Sequence, residues 1–392
     1  MKSTVTYFQA LLAFAIAGPL DPRQGIDTSL VDTAPTPTSA SIPIGPTIDS
    51  TTYNLSQATE SATESPLPVE TEPTTLQELA ARQTACQPLP TGAGPVPSPD
   101  TASAFLADTA FRAIASQAPV PSGYNATFIN LQVRAAAYSY LGFIVVDSYD
   151  TVRCAEECDN VWRGCQGFNI FFERDPIVAP ARGCADPPST TNIKCVFWGG
   201  DVSGETAINN GTTLVDFQVV VTGSNGYTRN TVPTVPGYDG EPTGNNTIDA
   251  PPEDTTGTVT VTTITSATTT VTTTVTPTNR PGGGGRGGRG GTYIGSKIFT
   301  NTFFDPGLCA AACDAQNRNN LANPPARGQP QICRFFTTYL IYRNGQPIGQ
   351  YCALYTQYYP RRFATVGSVD SGGDTLDVRH AFSYRNTRAP NV

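Results

Sequence analysis

An eleven-residue pattern occurs twice in this chain, at residues 149–159 and 304–314. Both copies read aromatic-Asp-x3-Cys-Ala-x2-Cys-Asp, and further cysteines follow each copy. The two cysteines of the pattern have i,i+4 spacing, so on a helix both sulfurs leave the same face. Cβ atoms at that spacing lie about 5–6 Å apart, whereas a disulfide needs about 3.5–4.5 Å. The pattern therefore predicts a small module that occurs twice, in which one helix is joined by separate disulfides to other segments.

Each copy carries the signals of a helix followed by strands. Asp150 and Asp305 precede a helix-compatible stretch, where a carboxylate accepts hydrogen bonds from the first backbone N–H groups. Pro306 fits the first helical position. Runs of β-branched and aromatic residues follow each helix and predict strands; they begin at Cys165, Cys195, Cys333 and Cys352. This order predicts an α+β fold with one helix packed on an antiparallel sheet in each module.

The N-terminus and the cysteine content predict an oxidising compartment. Residues 1–17 have the basic start, short apolar run and small-residue end of a secretory signal. No later segment holds the ~20 apolar residues that a membrane helix needs. Ten cysteines, an even number, fit extracellular disulfides, and the chain has N-glycosylation triplets at Asn54, Asn125, Asn210 and Asn245. We therefore expect an extracellular, secreted or cell-wall-associated glycoprotein without membrane insertion.

The charge balance narrows the class of partner. The net charge is −8, and only 14% of the residues are charged, compared with about 25% in ordinary soluble domains. An acidic chain of this kind does not fit nucleic acid or anionic membranes as partners. It fits a surface that hydroxyl groups and glycans keep in solution.

Composition divides the chain into ordered and low-complexity regions. Residues 18–83 are rich in Thr, Ser and Pro without apolar periodicity, which predicts a disordered, O-glycosylated segment; Arg82 leaves open the removal of a pro-segment. Residues 232–291 hold a Thr-rich tract and a Gly/Arg-rich run. The Thr/Val alternation is also a strand pattern, but without aromatic or turn signals we interpret it as a stalk followed by a flexible hinge. The predicted modules are 84–231, with an N-terminal extension, and 292–388.

The order of the cysteines resembles the PAN/apple family. In that family a helix with Cys-x3-Cys is followed by two strands that begin with cysteine. The stretches 168–176, 187–195 and 217–227 resemble secreted fungal proteins that carry such modules. The first copy matches over about 130–230. The second copy is looser, because 19 residues rather than 6 separate the second helix cysteine from the first strand cysteine.

The resemblance implies a nested disulfide pairing within each module. Carried over to this chain, the pairs are Cys154–Cys195, Cys158–Cys165, Cys309–Cys352 and Cys313–Cys333. Cys86 and Cys184 remain, and we predict that they pair and tie the N-terminal extension to the first module. Each outer bridge closes a loop of about 40 residues, which the chain-entropy model values at roughly 4 kcal/mol. Zinc binding is not favoured, because the only histidine is His380.

No set of catalytic residues is evident, and we predict no catalytic site, no metal and no cofactor. Glu173 and Asp175 flank Arg174 on an extended segment and share a face, and paired carboxylates can serve glycoside hydrolysis. Ion pairs and turn bonds ahead of Pro176 are the favoured interpretation. A single histidine beside a strand does not define a general base, so we expect a protein that is not an enzyme.

Aromatic residues in the second module suggest a binding site. Sugar recognition needs aromatic faces with polar groups beside them, and the candidate residues are Tyr355, Tyr358, Tyr359 and Arg361. The alternative is that these aromatic rings fill a small core, which is the favoured interpretation for Trp198. Modules of the resembled family bind both carbohydrate and protein. We expect a binding or adhesion protein for a glycan or cell-wall polymer, with a protein-binding or structural wall component as the alternative; the oligomeric state stays open.

Overall fold

The computed structural model describes residues 26–35, 42–45, 49–64, 86–250, 292–300, 302–326 and 328–390. The expected secretory signal, Arg82 and residues 251–291 of the Thr/Gly-rich tract lie outside this part of the chain. The helices are α1 (Thr28–Thr33), α2 (Leu55–Thr63), α3 (Ala102–Ala107), α4 (Thr109–Gln117), α5 (Thr151–Asn160) and α6 (Pro306–Ala322). The strands are β1 (Asp49–Ser50), β2 (Tyr124–Leu131), β3 (Arg134–Ala135), β4 (Tyr140–Val146), β5 (Gly167–Pro176), β6 (Ser189–Trp198), β7 (Ala207–Asn209), β8 (Thr212–Leu214), β9 (Phe217–Arg229), β10 (Tyr238–Gly244), β11 (Thr247–Ile248), β12 (Tyr293–Phe299), β13 (Phe335–Arg343), β14 (Gln346–Tyr355), β15 (Ala364–Val366), β16 (Ser368–Ser371) and β17 (Asp374–Asn386).

The main strands form two antiparallel sheets that have the same topology. The first sheet runs β1-β4-β6-β5-β9-β2, and the second runs β12-β14-β13-β17-β10. When the five core strands of each sheet are numbered along the chain, both sheets have the spatial order 2-4-3-5-1. The duplicated sequence pattern therefore corresponds to a duplicated α+β fold. We call the two copies module 1 and module 2.

Disulfides attach one helix of each module to its sheet, α5 in module 1 and α6 in module 2. Module 1 also contains α3 and α4, where the sequence predicted one helix. The helix follows the second core strand, and its two cysteines bond to separate partners with Cα–Cα distances of 5.3–5.8 Å. The structure contains the pairs Cys154–Cys195, Cys158–Cys165, Cys309–Cys352, Cys313–Cys333 and Cys86–Cys184. These are the pairs that the resemblance and the two remaining cysteines predict.

The first aspartate of the duplicated pattern caps the helix. Asp150 Oδ1 accepts a hydrogen bond from the Arg153 backbone N–H at 2.9 Å, and Asp305 Oδ1 accepts one from the Gly307 N–H at 2.8 Å. Pro306 occupies the start of α6, where a missing N–H costs nothing. The helix starts therefore follow directly from the local sequence.

The last aspartate of the pattern connects the helix to the first core strand. The Tyr124 hydroxyl donates to Asp159 Oδ1 at 2.7 Å in module 1, and the Tyr238 hydroxyl donates to Asp314 Oδ1 at 2.8 Å in module 2. Each tyrosine also begins a row of three adjacent rings under the helix; the rows are Tyr124–Phe168–Tyr227 and Tyr238–Phe336–Tyr384. The same set of contacts thus forms in both modules.

Module 2 begins before the Thr-rich tract, which corrects the expected boundary at residue 292. β10 pairs with β17, and residues 251–291 lie between the first and second core strands of module 2. The residues of β10, with two Gly, a Pro and two acidic side chains, have low strand propensity. They are held at the edge of the sheet by backbone pairing that only the partner strand provides. The tract is therefore an insertion within module 2, and the connection between the modules is residues 230–237.

Parts of the expected disordered segment 18–83 are folded against the modules. Val31 and Ala62 are completely buried, and Ile42 is 2% exposed. These apolar side chains lie in short groups within a polar sequence, and the groups are too short to predict a core. The partner surfaces belong to the modules, and the sequence of the segment alone does not show them.

The two modules also contact each other directly. The Phe304 N–H donates to the Gly199 carbonyl at 2.8 Å, across the modules. The Arg379 guanidinium of module 2 pairs with Glu205 of module 1 at 2.8 Å. A stalk that separates the modules is therefore not the arrangement in this structure.

Candidate functional site

The carboxylates noted in the sequence, Glu173 and Asp175, are buried on one face of the first sheet. Alternate residues of β5 and β6 pack against α5 on the inner face, and the remaining residues point to the opposite face, which we call the outer face. Glu173 binds the Lys194 ammonium and the Arg134 guanidinium, and Asp175 Oδ2 accepts a hydrogen bond from Asn192 at 2.6 Å. The ion pairing that the sequence favoured is present, and burial closes this pair to a substrate.

The two carboxylates have opposite pKa shifts. Burial, reinforced by the nearby Glu173 charge, raises the pKa of Asp175 above its usual value. Burial also opposes ionisation of Glu173, but the charges of Lys194 and Arg134 outweigh it and lower the pKa of Glu173. The cluster therefore keeps Glu173 charged, while Asp175 takes up a proton more readily than an exposed aspartate.

The candidate residues of module 2 divide into a buried and an exposed pair. Tyr355 and Tyr359 are 0% and 2% exposed and belong to the core on the outer face of the second sheet. The sequence left open whether these rings form a binding surface or fill a core. Their burial shows that they fill a core. Tyr358 is 42% exposed, and Arg361 is exposed beside it in the chain. The four residues therefore do not form one exposed platform.

The buried tyrosines hold the two ends of the Thr/Gly-rich insertion. The Asp249 N–H donates to the Phe363 carbonyl at 2.8 Å on the N-terminal side. On the C-terminal side, the Thr292 and Tyr359 hydroxyls lie 2.5 Å apart, and Tyr293 packs edge-on against Tyr355 with ring centroids 5.7 Å apart. Both ends of the insertion therefore leave module 2 from the same aromatic cluster, which explains why these rings are buried.

A cleft of about 510 Å³ opens where α5 ends and the connection between the modules begins. Its lining combines an aromatic ring with cationic, anionic, amide and hydroxyl side chains; the lining residues used below are Asp159, Trp162, Arg163, Gln166, Arg229 and Thr231. This volume fits the range of small-molecule sites, about 300–1,000 Å³. Because its volume lies in this range and its lining is both aromatic and polar, we take this cleft as the candidate binding site.

The cleft owes its shape to the short disulfide loop after α5. Cys158 and Cys165 pair across a separation of seven residues, which forces the chain to turn at Trp162. The indole stacks on Phe197 with ring centroids 5.0 Å apart and an interplanar angle of 22°. The ring is half-buried and belongs to the cleft wall. A covalent loop and a stacked neighbour therefore hold this aromatic side chain in place.

Arg229 forms the floor of the cleft and is fixed by four contacts. Its guanidinium donates to the Cys165 carbonyl at 2.9 Å and to the Cys158 carbonyl at 3.1 Å. It also pairs with Asp159 at 2.7 Å and lies over the Tyr124 ring at 5.6 Å. Burial and the Asp159 hydrogen bond raise the pKa of Tyr124, so this hydroxyl stays protonated as a donor. The polar groups of the cleft are therefore preorganised.

His380 and Asp201 lie in the contact between the modules. The His380 ring is 4.8 Å from the Phe304 ring, and burial lowers its pKa to about 4. Asp201 accepts a hydrogen bond from the Tyr342 hydroxyl at 3.3 Å, and burial raises its pKa to about 6. A neutral buried histidine packed among rings fits a structural role, as the sequence suggested.

The predicted glycosylation triplets all lie at the surface. Asn54, Asn125, Asn210 and Asn245 are each exposed. Asn54 also caps α2 through its side-chain oxygen, at 3.1 Å from the Gln57 N–H. Glycan attachment at the amide nitrogen leaves this acceptor oxygen in place.

Three comparisons with known proteins give no relative for this chain. No family model matches it, no curated protein matches it, and no solved structure matches it. In the described part of the chain, no group of three or more His, Cys, Asp and Glu side chains is placed to hold a metal ion. No helix among those residues is long and apolar enough to cross a membrane.

The sequence did not point to Trp162 or Arg229 as site residues. They are separated along the chain, and their proximity depends on the fifth core strand returning beside the third. One signal was present: Trp162 lies between two cysteines seven positions apart, and a short disulfide loop restrains and exposes an aromatic ring. A search of disulfide loops for aromatic residues would have found it.

Proposed function

We propose that this chain is a secreted, non-catalytic binding or adhesion protein with two PAN/apple-like modules, of the type found in secreted fungal proteins. The shared topology, the helix attached by two disulfides and the repeated Tyr–Asp contact support this assignment. Five disulfides fit an oxidising compartment. Four exposed glycosylation triplets agree with the same location.

The proposed ligand is a glycan or cell-wall polymer that binds in the cleft beside Trp162. The observation that carries this proposal is a preorganised aromatic wall with polar groups of both charges and amides around it. Sugar rings present apolar C–H faces and a rim of hydroxyls, which match an indole face and side chains such as Gln166 and Arg163. The buried Glu173–Asp175 pair offers no accessible acid and base, which supports binding rather than hydrolysis.

A protein-binding or structural role is the second candidate. A specific observation favours it: the outer faces of both sheets already hold short segments of polypeptide from the N-terminal region. A fold that holds its own chain in this way is suited to hold another. The two candidates use different surfaces, because the cleft lies at the end of α5 and the outer faces lie opposite the helices.

The test of the glycan proposal is retention of the purified full-length protein on insoluble chitin, cellulose and β-1,3-glucan. Trp162→Ala is expected to weaken retention by about 30-fold or more, the effect of losing an aromatic anchor worth about 2 kcal/mol. The matched control is Tyr358→Ala, which removes an exposed aromatic side chain from module 2. It is expected to leave retention unchanged.

Two results would contradict this proposal. Loss of retention in the Tyr358 variant, with normal retention in the Trp162 variant, would place the site in module 2. Absence of retention for the unmodified protein, together with specific capture of extracellular proteins, would favour the second candidate. Near-ultraviolet circular dichroism of each variant shows whether the fold is kept.

A further inference from the structure

The described N-terminal residues 26–35, 42–45 and 49–64, together called the N-terminal segment, are held by both modules without a disulfide. The first cysteine of the chain is Cys86, so no disulfide reaches this segment. It contacts module 1 and module 2 in turn, and its connection to the rest of the protein passes through residues 65–85. Apart from the chain itself, its attachment depends on packing, hydrogen bonds and the ion pair between Asp32 and Arg343.

On module 1, the segment covers the ionic cluster of the outer face. Ile42 is 2% exposed and packs in the aromatic group that includes Phe143 and Phe171. The Lys194 ammonium donates to the Pro43 carbonyl at 3.0 Å and lies 4.9 Å from the Phe143 ring centroid. Lys194 is fully buried, so this backbone carbonyl replaces water as its acceptor. The apolar side chain and the carbonyl next to it are recognised together.

On module 2, the segment covers the corresponding outer face. Val31 in α1 is completely buried in the core group that contains Tyr339 and Tyr351. The Asp27 N–H donates to the Tyr351 hydroxyl at 2.6 Å. Arg343 donates to the Val31 carbonyl at 3.0 Å. An apolar side chain flanked by backbone hydrogen bonds is again the recognised unit.

The two contacts use the same position of the duplicated fold. Lys194 immediately precedes Cys195, and Tyr351 immediately precedes Cys352; these cysteines are the equivalent partners of the first helix cysteine. Both side chains point to the outer face, and both bind backbone of the N-terminal segment. One peptide contact at this position is accidental packing, whereas two equivalent contacts indicate a property of the module.

We propose that the outer face of each module is a peptide-binding site, and that the N-terminal segment is its intramolecular occupant. The ligand is a short peptide that places an apolar side chain beside a backbone group, as Ile42 and Pro43 do on module 1 and Val31 of the short helix α1 does on module 2. While the segment is covalently attached, its effective concentration, of millimolar order, keeps the site closed to other peptides. Displacement or removal of the segment opens the site. This inference is independent of glycan binding at the cleft.

The test uses the full-length protein with a specific protease site introduced between residues 65 and 85. After cleavage, a fluorescent synthetic peptide of residues 26–64 is added, and its incorporation is measured by anisotropy and gel filtration. The peptide is expected to bind the cleaved protein saturably and to bind the uncut protein at least about 100-fold more weakly. Fluorescence of Trp198, in the same aromatic group as Ile42, follows exchange on module 1.

Variants of the peptide avoid effects on folding of the protein. An Ile42→Ala peptide is expected to bind about 10-fold more weakly or worse, because it loses most of a buried apolar side chain. The control is a Thr52→Ala peptide, since Thr52 is exposed, and it is expected to bind like the original peptide. Equal affinity of the Ile42→Ala and original peptides would overturn the proposal.

Two further outcomes would also overturn it. One is that the cleaved protein, with its native circular dichroism spectrum, fails to take up the peptide at 100 times its own concentration. The other is that the cleaved protein becomes retained on a polysaccharide but does not take up the peptide, which would assign the opened face to glycans. Lysine-to-methionine substitution at 194 should reduce peptide uptake without preventing it, because the module 2 contacts remain.

Discussion

The buried ionic cluster of module 1 allows a quantitative prediction for Lys194→Met. Lys194 is fully buried, and its ammonium binds Glu173 and the Pro43 carbonyl and lies 3.8 Å from Asp175 Oδ2. Methionine is unbranched and only one heavy atom shorter than lysine, so the cavity that it leaves is small. The cost comes from removing one of the two cations that bind Glu173, since only Arg134 remains; removal of one member of a buried pair costs about 3–5 kcal/mol. We expect the free energy of unfolding of module 1 to fall by that amount.

The assay is urea denaturation followed by tryptophan fluorescence. The chain has two tryptophans, Trp162 and Trp198, and both belong to module 1, so the signal reports this module. The control is Arg153→Met, which breaks a pair with Glu157 in which the arginine side chain is 56% exposed. A pair at the surface of a helix contributes about 0.3–0.5 kcal/mol, and the control should therefore lose no more than that.

The effect of Lys194→Met should also depend on pH. The folded-state pKa of Asp175 lies above its unfolded value, because of burial and the Glu173 charge. Protonation of Asp175 therefore stabilises the fold at low pH, and this contribution is lost as the pH rises from about 4 through the raised pKa. Removing the lysine cation raises that pKa further, so the loss of stability should be smaller at pH 5 than at pH 8. A loss equal to that of the Arg153 control, at either pH, would refute burial of the cluster.

Three other predictions test the remaining features. Tyr359→Ala should lower the free energy of unfolding of module 2 by about 3–5 kcal/mol in calorimetry, as for a large buried aromatic, whereas the exposed Tyr358→Ala should cost under about 1 kcal/mol. The folded-state pKa of Asp201 is raised to about 6, so its contribution to stability should decline by about 2 kcal/mol as the pH rises from 4 to 6. Asp201→Asn should remove this part of the decline and leave the part that Asp175 causes. An unchanged pH profile would contradict the burial of Asp201. A protease cut engineered within residues 251–291 should leave both products together in non-reducing gel filtration, because β10 stays paired with β17; separation of the products would show that the tract joins independent modules.

The helix starts and the strands could be predicted from the sequence, because they depend on residues that are close together in the chain. Asp150 and Asp305 cap helices through hydrogen bonds that span two or three residues. The strands after Cys165 and Cys333 follow from runs of aromatic and β-branched side chains. The alternation on β5 also placed Glu173 and Asp175 on one face. The disulfide pairs came from the resemblance, and the structure contains the same pairs.

The candidate site was harder to predict from the sequence, because the exposure of a side chain depends on what packs against it. Tyr355 and Tyr359 are of a residue type that suits sugar binding, yet both are buried at the base of the Thr/Gly-rich insertion. Trp162 and Arg229 meet only after the fifth strand pairs with the third. Composition shows which side chains are suited to a ligand, and packing selects the ones a ligand reaches.

The sequence by itself determined that a helical pattern with two cysteines occurs twice, and where its helices begin. These properties depend on covalent spacing and on hydrogen bonds between near neighbours. Only the tertiary structure decided that β10 belongs to module 2, that the Thr/Gly-rich tract is an insertion, and that the N-terminal segment covers both outer faces. Edge-strand pairing and the burial of apolar residues such as Ile42 depend on partners far away in the chain, and no local pattern records them.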